Sequence, residues 1–332
     1  MKLLHLLLVL VIATAPVCAQ QLPQHTQYVQ NNFLLNPAVA GIESYVDLRS
    51  GYRSQWVGLE GAPSSFYASV HTPLNKHDRN APQRHMRGNN AAAGANKNNR
   101  FHLKPHHGLG AVAQMDKAGL LRTFSLNLSY AYHLPLTSSL NLSGGVTAGL
   151  TQYRLKKEDL NLVTPNDPFL AGEFGSMNKA DLGLGLWLYS SNFYVGISGL
   201  QLLRSETSKS EGDPRATLQK HYYATGGIRI RASALVTLTP SVMVKVAENG
   251  LSMVDLNTKL TYARRFWVGG SYRHHDALTG TVGIYVNHLL DVSYSQDITT
   301  SDLNKVSANS HEVVLGIKLN NPQKVVCPQW IW

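Results

Sequence analysis

Cysteine and charge are both scarce in this sequence. Two of the 332 residues are cysteine, Cys18 and Cys327, and 15% of the residues are charged. Outside the first twenty residues, no apolar run reaches the about 20 residues that a membrane-spanning helix needs. The mean hydropathy of −0.15 excludes a bundle of membrane helices but is compatible with strands that are apolar on one face.

Acidic residues are few, yet the resulting positive charge is local. The formal net charge is +10, and residues 76–104 hold seven Lys or Arg residues and a single acid, Asp78. This stretch therefore carries six of the ten charges. A single basic loop in an exported chain is weak support for a nucleic-acid partner, and we expect none.

Residues 1–19 have the pattern of a secretory signal peptide. Lys2 supplies the positive start, residues 3–15 are apolar, and Val17, Cys18 and Ala19 form a cleavage site. The bulky Val17 and the acceptable cleavage after Ala19 argue against Cys18 as a lipoprotein cysteine. Cleavage there would leave Cys327 alone, without an internal disulfide. We expect an exported protein in which residues 20–43 form a periplasmic N-terminal segment.

Period-two alternation recurs along the rest of the chain, in segments of about ten residues, the length of a tilted membrane strand. About fourteen strands are predicted, and an even number is typical of single-chain outer-membrane barrels. The expected fold is an all-β transmembrane antiparallel barrel over residues 44–319, with a C-terminal tail, 320–332, and both termini in the periplasm. The strands are predicted at residues 45–53, 66–72, 108–115, 123–134, 139–153, 181–189, 193–202, 221–231, 241–247, 254–263, 266–275, 281–287, 290–297 and 310–319.

A soluble β-sandwich has the same two-faced strands, so loop lengths must discriminate between the alternatives. Short turns alternate with long connections at 154–178, 203–219 and 297–309, which favours a membrane barrel. The connection 74–107 is long but falls on the short-turn side. Either it is a basic periplasmic insertion or one earlier strand is miscounted.

Within this connection, residues 76–107 have a composition typical of disorder, rich in Asn, Ala and Gly. The histidines His102, His106 and His107 have no acids or cysteines spaced around them, so we expect no metal site. Contact with anionic lipid or with an acidic partner is an alternative role for the stretch.

The polar face of the strands should line the lumen, because an arginine facing lipid near the midplane costs about 2–4 kcal/mol. Charges of both signs occur on this face, so a packed ion-pair network and an open channel both fit. Several aromatic residues are candidates for interfacial girdles. The expected lumen residues are Arg49, Arg229, Arg231, Asp255, Lys259, Arg273 and Glu312; the aromatic candidates are Tyr28, Tyr130, Tyr132, Trp187, Tyr194, Tyr222, Tyr262, Trp267 and Tyr285.

Motifs of enzymatic chemistry are missing. The sequence has no G-x-S-x-G elbow, no H-E-x-x-H helix, no CxxC pair and no Gly-rich loop that leads from a strand into a helix. We therefore expect a non-enzymatic protein with no catalytic residues and no cofactor.

Several motifs together resemble a known family. They are Gln27-Tyr28, the Asn36-Pro37-Ala38-Val39-Ala40-Gly41 stretch, Tyr52-Arg53-Ser54-Gln55-Trp56-Val57-Gly58 with Gly61-Ala62-Pro63, the pair Asp181-Leu182-Gly183 and Gly196-Ile197-Ser198, Phe266-Trp267-Val268-Gly269 with Tyr272-Arg273, and Ser310-His311-Glu312. With these motifs the chain resembles the PorP/SprF family of type IX secretion system outer-membrane proteins of Bacteroidota. The departures are the 76–107 insertion and Val39, where the family usually has an aromatic residue.

The resemblance implies an outer-membrane barrel of a Gram-negative bacterium that assists the secretion or surface attachment of adhesins and supports gliding. The implied partners are the type IX secretion machinery, the C-terminal signal domain of a secreted adhesin, and outer-membrane lipid. The main alternative, from the barrel pattern alone, is a channel for small-solute diffusion or uptake.

The resemblance also marks site residues. We expect structural roles for Asn36, Pro37 and Gly41, in a periplasmic turn that leads into the first strand, and for Ser310, His311 and Glu312. Residues 52–63 should cap the first hairpin at the external rim, either as a folded loop or as a docking surface. The partner-binding candidates there are Tyr52, Arg53, Gln55, Trp56, Gly58, Glu60, Gly61 and Pro63.

Overall fold

The computed structural model describes residues 24–74, 105–156, 176–203, 220–248, 252–274, 276–300 and 307–330. These residues form three short 3-10 helices and fifteen strands. The helices are η1 (Tyr28–Gln30), η2 (Asn32–Leu34) and η3 (Pro37–Val39); the strands are β1 (Val46–Ser54), β2 (Ser64–Leu74), β3 (His106–Ala118), β4 (Leu121–Pro135), β5 (Asn141–Leu155), β6 (Ser176–Tyr189), β7 (Phe193–Leu200), β8 (His221–Ile228), β9 (Ile230–Arg231), β10 (Val236–Ala247), β11 (Ser252–Tyr262), β12 (Phe266–Arg273), β13 (Ala277–Tyr285), β14 (Leu290–Thr299) and β15 (Ser310–Leu319).

The strands form one closed antiparallel sheet. Each pairs with its neighbours in sequence, and β15 returns to pair with β1 from Val46↔Leu319 to Ser54↔His311. Strands β8 and β9 both pair with β10 and are two parts of one wall strand, interrupted at Arg229. The wall therefore has fourteen strands, which confirms the barrel and excludes the two-sheet sandwich.

The two faces of the wall differ in polarity, as the alternation predicts. On β4 and β5 the outward Leu128 and Leu150 are 63% and 64% exposed, whereas the inward Ser129 and Thr147 are buried and share a 2.9 Å hydrogen bond. Such a continuous apolar outer surface is stable in a bilayer, not in water. None of the described helices is long and apolar enough to span a membrane.

The connections separate into two rims. The short-turn rim holds the turns 136–140, 190–192, 232–235, 263–265 and 286–289; the long-loop rim holds 55–63 and the links between β5 and β6, β7 and β8, and β14 and β15. Strand β2 pairs along its length with β1 and β3, so the strand count before the insertion is correct. The connection from Leu74 to Pro105 therefore leaves and returns at the short-turn rim; residues 75–104 lie outside the described residues.

The polarity of the wall predicts the effect of a charge on its outer face. Leu128 lies at the middle of β4, so Leu128→Arg should lower the free energy of unfolding by about 2–4 kcal/mol. Urea unfolding in phosphatidylcholine bilayers measures this change. The inward Ser129→Ala is the matched control and should cost about 1 kcal/mol, the value of one hydrogen bond. Equal losses in both variants would contradict the assignment of the faces.

Candidate functional site

Residues 24–45 lie inside the barrel, and we call this segment the plug. From the sequence, residues 20–43 are expected to lie in the periplasm. That placement is wrong for the described part of this segment, since residues 24–43 fill the lumen. The segment is made of 3-10 turns without strand alternation, and its polar groups are matched to the polar inner wall. Fifteen plug residues are at most 6% exposed: Thr26, Gln27, Tyr28, Val29, Gln30, Asn31, Asn32, Phe33, Asn36, Ala38, Val39, Ala40, Ile42, Glu43 and Tyr45.

The plug begins near the long-loop rim, where charged side chains hold it. The amide of Thr26 donates to the Glu312 carboxylate at 2.7 Å, and the Thr26 hydroxyl donates to Asp297 at 2.7 Å. Arg53 lies 2.7 Å from Asp297 and 3.4 Å from Glu312, and it also donates to the Thr26 hydroxyl. Arg273 lies 3.7 Å from Asp297. Since burying a lone charge costs several kcal/mol, these groups depend on one another.

The plug then crosses to the short-turn rim, where Asn36 fixes it to the wall. The Asn36 side-chain oxygen accepts from the amide of Ala38 at 2.9 Å, which caps η3. Its side-chain nitrogen donates to the carbonyls of Leu186 on β6 and Ile197 on β7, both at 3.0 Å. A Cβ at Gly185 would lie 2.0 Å from the Asn36 oxygen, so this contact requires glycine in the wall.

Pro37 and Gly41 give the plug its local shape. Pro37 occupies the first position of η3, where its missing N–H is not needed. Gly41 has φ of +72°, and a Cβ there would lie 2.5 Å from the Cα of Gly108 on β3. The motif therefore lies in the interior of the barrel and not in the periplasmic turn that is expected from the sequence.

Three histidines of the barrel wall form hydrogen bonds with the plug backbone at Ala40 and Gly41. His71 accepts from the Gly41 amide at 3.2 Å, the ring of His106 bonds the Gly41 carbonyl at 3.2 Å, and that of His133 bonds the Ala40 carbonyl at 2.7 Å. Among the described residues, no group of three His, Cys, Asp or Glu side chains is arranged to hold a metal ion. From the sequence, His106 is considered only as a possible metal ligand, and His71 and His133 are missed. The inward positions of His71 and His133 on the strands predicted at 66–72 and 123–134 are the signal that could have found them.

The C-terminal segment closes the short-turn rim over the plug. The amide of Trp330 donates to the Glu43 carboxylate at 2.7 Å, and the Trp330 ring packs edge-on against Tyr189 with centroids 5.6 Å apart. Arg229 donates to the carbonyls of Pro328 and Gln329 at 3.3 and 3.4 Å. The described part of the expected tail is therefore a cap on the interior.

Most of the expected lumen charges are buried inside and paired. Arg49 lies 3.0 Å from Asp47 and 3.3 Å from Asp291, and Lys318 lies 3.5 Å from Asp291. Arg273 lies 3.4 Å from Asp255. Of the two alternatives for the lumen, the structure has the packed ion-pair network. Arg49, Asp255, Lys259, Arg273 and Glu312 are each at most 3% exposed.

Arg231 differs from the buried charges, since it is exposed beside the turn that joins β9 to β10. It is opposite Thr237, whose side of β10 also carries the buried Thr239 and Ser241, so it lies at the short-turn end of the inward face.

The aromatic prediction is half wrong, because an aromatic ring suits the packed interior as well as the interface. Tyr28, Trp187, Tyr194, Trp267 and Tyr285 are buried, whereas Tyr130, Tyr132, Tyr222 and Tyr262 face outward and are exposed.

The loop 55–63 is folded and tied to its neighbours at the long-loop rim. The Trp56 amide donates to the Ser310 hydroxyl at 3.2 Å, and the Val57 amide to the Asn309 carbonyl at 3.0 Å. On the other side the Gly119 amide donates to the Gly61 carbonyl at 3.0 Å. Three adjacent connections are thus joined into one surface.

The partner-binding candidates divide into three groups. Arg53 is wrong as a docking residue, because its guanidinium is buried in the ion pairs below the rim. Tyr52 is exposed on the outer face of β1, which faces lipid. The others lie in the loop: Gln55, Trp56 and Pro63 are half-buried, and Gly58, Glu60 and Gly61 are exposed.

The motif that opens β15 links the rim to the plug. Ser310 accepts from Trp56 in the rim loop, Glu312 points inward to Thr26, and His311 points outward to the Tyr294 hydroxyl at 2.7 Å. Residues far apart in sequence that carry the family resemblance therefore meet at the start of the plug.

The ion pairs at the start of the plug predict a large effect of Arg53→Gln. The change would leave Asp297 and Glu312 without their main cation, so the free energy of unfolding should fall by about 3–5 kcal/mol. Urea unfolding in bilayers is the measurement. Lys220→Gln is the control: it removes the half-exposed partner of Glu248 and should change the free energy of unfolding by about 0–1 kcal/mol. If Arg53→Gln lost as little stability as the control, Arg53 would not be the residue that stabilises the ion pairs at the start of the plug.

Solved structures similar to the chain include the Pseudomonas putida toluene transporter TodX (11% identity, TM-score 0.46, covering 87% of this chain and 93% of that one). Others are the CymD monoaromatic hydrocarbon channel (13%, 0.48, 89% and 92%) and a Pseudomonas aeruginosa FadL homologue (9%, 0.45, 90% and 94%). Likeness at this level carries no functional argument. No curated protein matches the chain.

The family comparison is decisive. The model of the type IX secretion system membrane protein PorP/SprF matches residues 17–317, nearly the whole chain. The apolar outer face of the closed barrel is the form in which outer-membrane proteins cross their bilayer. The chain belongs to the PorP/SprF family of type IX secretion system membrane proteins and is an outer-membrane barrel.

Proposed function

We propose that this barrel assists the secretion or surface attachment of adhesin-type substrates by docking their C-terminal signal domain, without catalysing a reaction. The observation that carries the proposal is the family match over residues 17–317, which makes the chain an outer-membrane component of the type IX secretion system. In a gliding organism, the same docking would support motility.

Because the lumen is filled, docking of the adhesin on the barrel is favoured over its passage through the barrel. The plug occupies the interior, the buried ion pair of Arg49 with Asp291 links β1 to β14, and the segment up to Trp330 covers the short-turn rim. A folded adhesin domain has no path through such a barrel. The same observation disfavours the alternative of a small-solute channel.

The docking surface is proposed at the rim loop 55–63. In this loop Gly58, Glu60 and Gly61 are exposed, and Gln55, Trp56 and Pro63 are half-buried. Because the loop is hydrogen-bonded to both neighbours, little ordering is needed on binding. The loops 154–178 and 203–219, also candidates for this surface, lie almost wholly outside the described residues.

Deletion of the gene, followed by complementation, tests the proposal. The deletion should remove one or a few large adhesins from the cell surface while general outer-membrane composition is unchanged. Complementation with Glu60→Lys or Trp56→Ala should restore the barrel but give several-fold less displayed adhesin, since a charge reversal or a lost aromatic anchor at a central contact costs about 2 kcal/mol or more.

Glu248→Lys is the matched control, because it reverses a charge at the same rim but far from the loop. It should restore display fully. Surface labelling and mass spectrometry measure the adhesins. An unchanged surface proteome in the deletion strain would overturn the proposal, and full display by both loop variants would assign the loop a structural role only.

The filled lumen makes a second prediction, on conductance. The purified protein in planar bilayers should be silent, whereas a variant lacking residues 24–43 should show stable conductance because the wall alone encloses a polar lumen. Heat-modifiable gel mobility confirms that each variant is folded. Stable conductance of the intact protein would favour the channel alternative.

A further inference from the structure

Three basic side chains stand side by side on the outer wall near the long-loop rim. Lys117 on β3 is directly opposite Arg122 on β4, and Arg122 is directly opposite Arg154 on β5. Residues opposite each other in an antiparallel pair share a face, with Cβ atoms about 4.5–5.5 Å apart. All three side chains are exposed.

This row has no acidic counterpart in the described residues. The ion pairs formed by the described part of the chain involve other cations, and Asp116, next to Lys117, points inward and accepts from Ser65. Like charges directly opposite each other destabilise a sheet. The arrangement is therefore unfavourable unless an anion lies between the side chains.

The row continues on its other side with hydroxyl groups. Lys117 is opposite Ser64 on β2, which in turn is opposite Ser54 on β1. Cations flanked by hydroxyl donors suit the oxygens of a phosphate group.

One row closer to the membrane centre, the outer wall is aromatic and apolar. Tyr52, Phe66, Met115 and Phe124 are opposite one another in register, and all four are exposed. Aromatic residues of membrane proteins collect at the level of the lipid headgroups. The basic row is thus placed at the phosphates of the leaflet on the long-loop side, which in this architecture is the outer leaflet.

We propose that Lys117, Arg122 and Arg154 form a binding site for the phosphate headgroup of an anionic lipid in the outer leaflet. The acyl chains would lie along the exposed Leu126 and Leu150 below. The inference does not depend on the adhesin-docking role, since it uses only the wall and its orientation.

A lipid fits this site better than an acidic segment of a secreted protein. The three side chains project from the wall toward the bilayer, not upward from a loop. A row that lies directly beyond the aromatic level meets headgroups before it meets soluble partners. The choice between the two is an outcome of the test.

The experiment measures lipid binding to the full-length protein in detergent by native mass spectrometry. The probes are bisphosphorylated lipid A, its fully dephosphorylated form, inorganic phosphate and polyglutamate. Lipid A should bind, and each single change Lys117→Gln, Arg122→Gln or Arg154→Gln should weaken it about fivefold, the effect of one basic residue near an anionic surface. The triple variant should lose about 100-fold.

Lys220→Gln is the matched control, because it removes a cation from the same rim that is already paired with Glu248. It should leave lipid A binding unchanged. Heat-modifiable mobility confirms folding of every variant. Equal binding of the dephosphorylated lipid, equal binding by the triple variant, or inorganic phosphate competing as strongly as lipid A would each overturn the proposal. Binding of polyglutamate in preference to lipid A would overturn it in favour of an acidic protein partner.

Discussion

The burial of charge inside the barrel is the constraint on which the rest of this structure depends. Arg53, Asp297 and Glu312 are each at most 3% exposed, and their mutual geometry, the nearby Arg273 and the groups of Thr26 offset the loss of water. The plug therefore supplies hydrogen bonds on which the buried charges of the wall depend. Without it, the carboxylates would lose hydrogen-bond donors that no other described group replaces.

The strand pattern could be predicted because lipid on one side and polar packing on the other impose a strict period of two. All fourteen predicted strands occur, with shifted ends. The plug could not be predicted this way, because short 3-10 turns have no period, and Asn36 finds its partners Leu186 and Ile197 about 150 residues away. The inward position of Arg53 could have been predicted, because Arg53 is four residues from Arg49 on the same strand and therefore shares its face.

The residues that carry the family resemblance make two kinds of contact in the structure. Asn36, Gly41 and Glu312 hold the plug, while Trp56 and Ser310 join the loops of the long-loop rim. Because Ser310 and Glu312 are two residues apart on one strand, the start of β15 contacts both the rim loop and the plug. The rim loop is thus hydrogen-bonded to its neighbours within the chain itself.

The path of the plug has a consequence for assembly. The seam that closes the ring pairs β1, the first strand, with β15, the last, and it places Arg53 opposite Glu312. A slip of one residue would turn Glu312 toward lipid and away from Thr26. Only the correct register of this seam brings Glu312 of the last strand to Thr26, which precedes the first strand, so the N-terminal segment favours the native pairing of the two ends of the sheet.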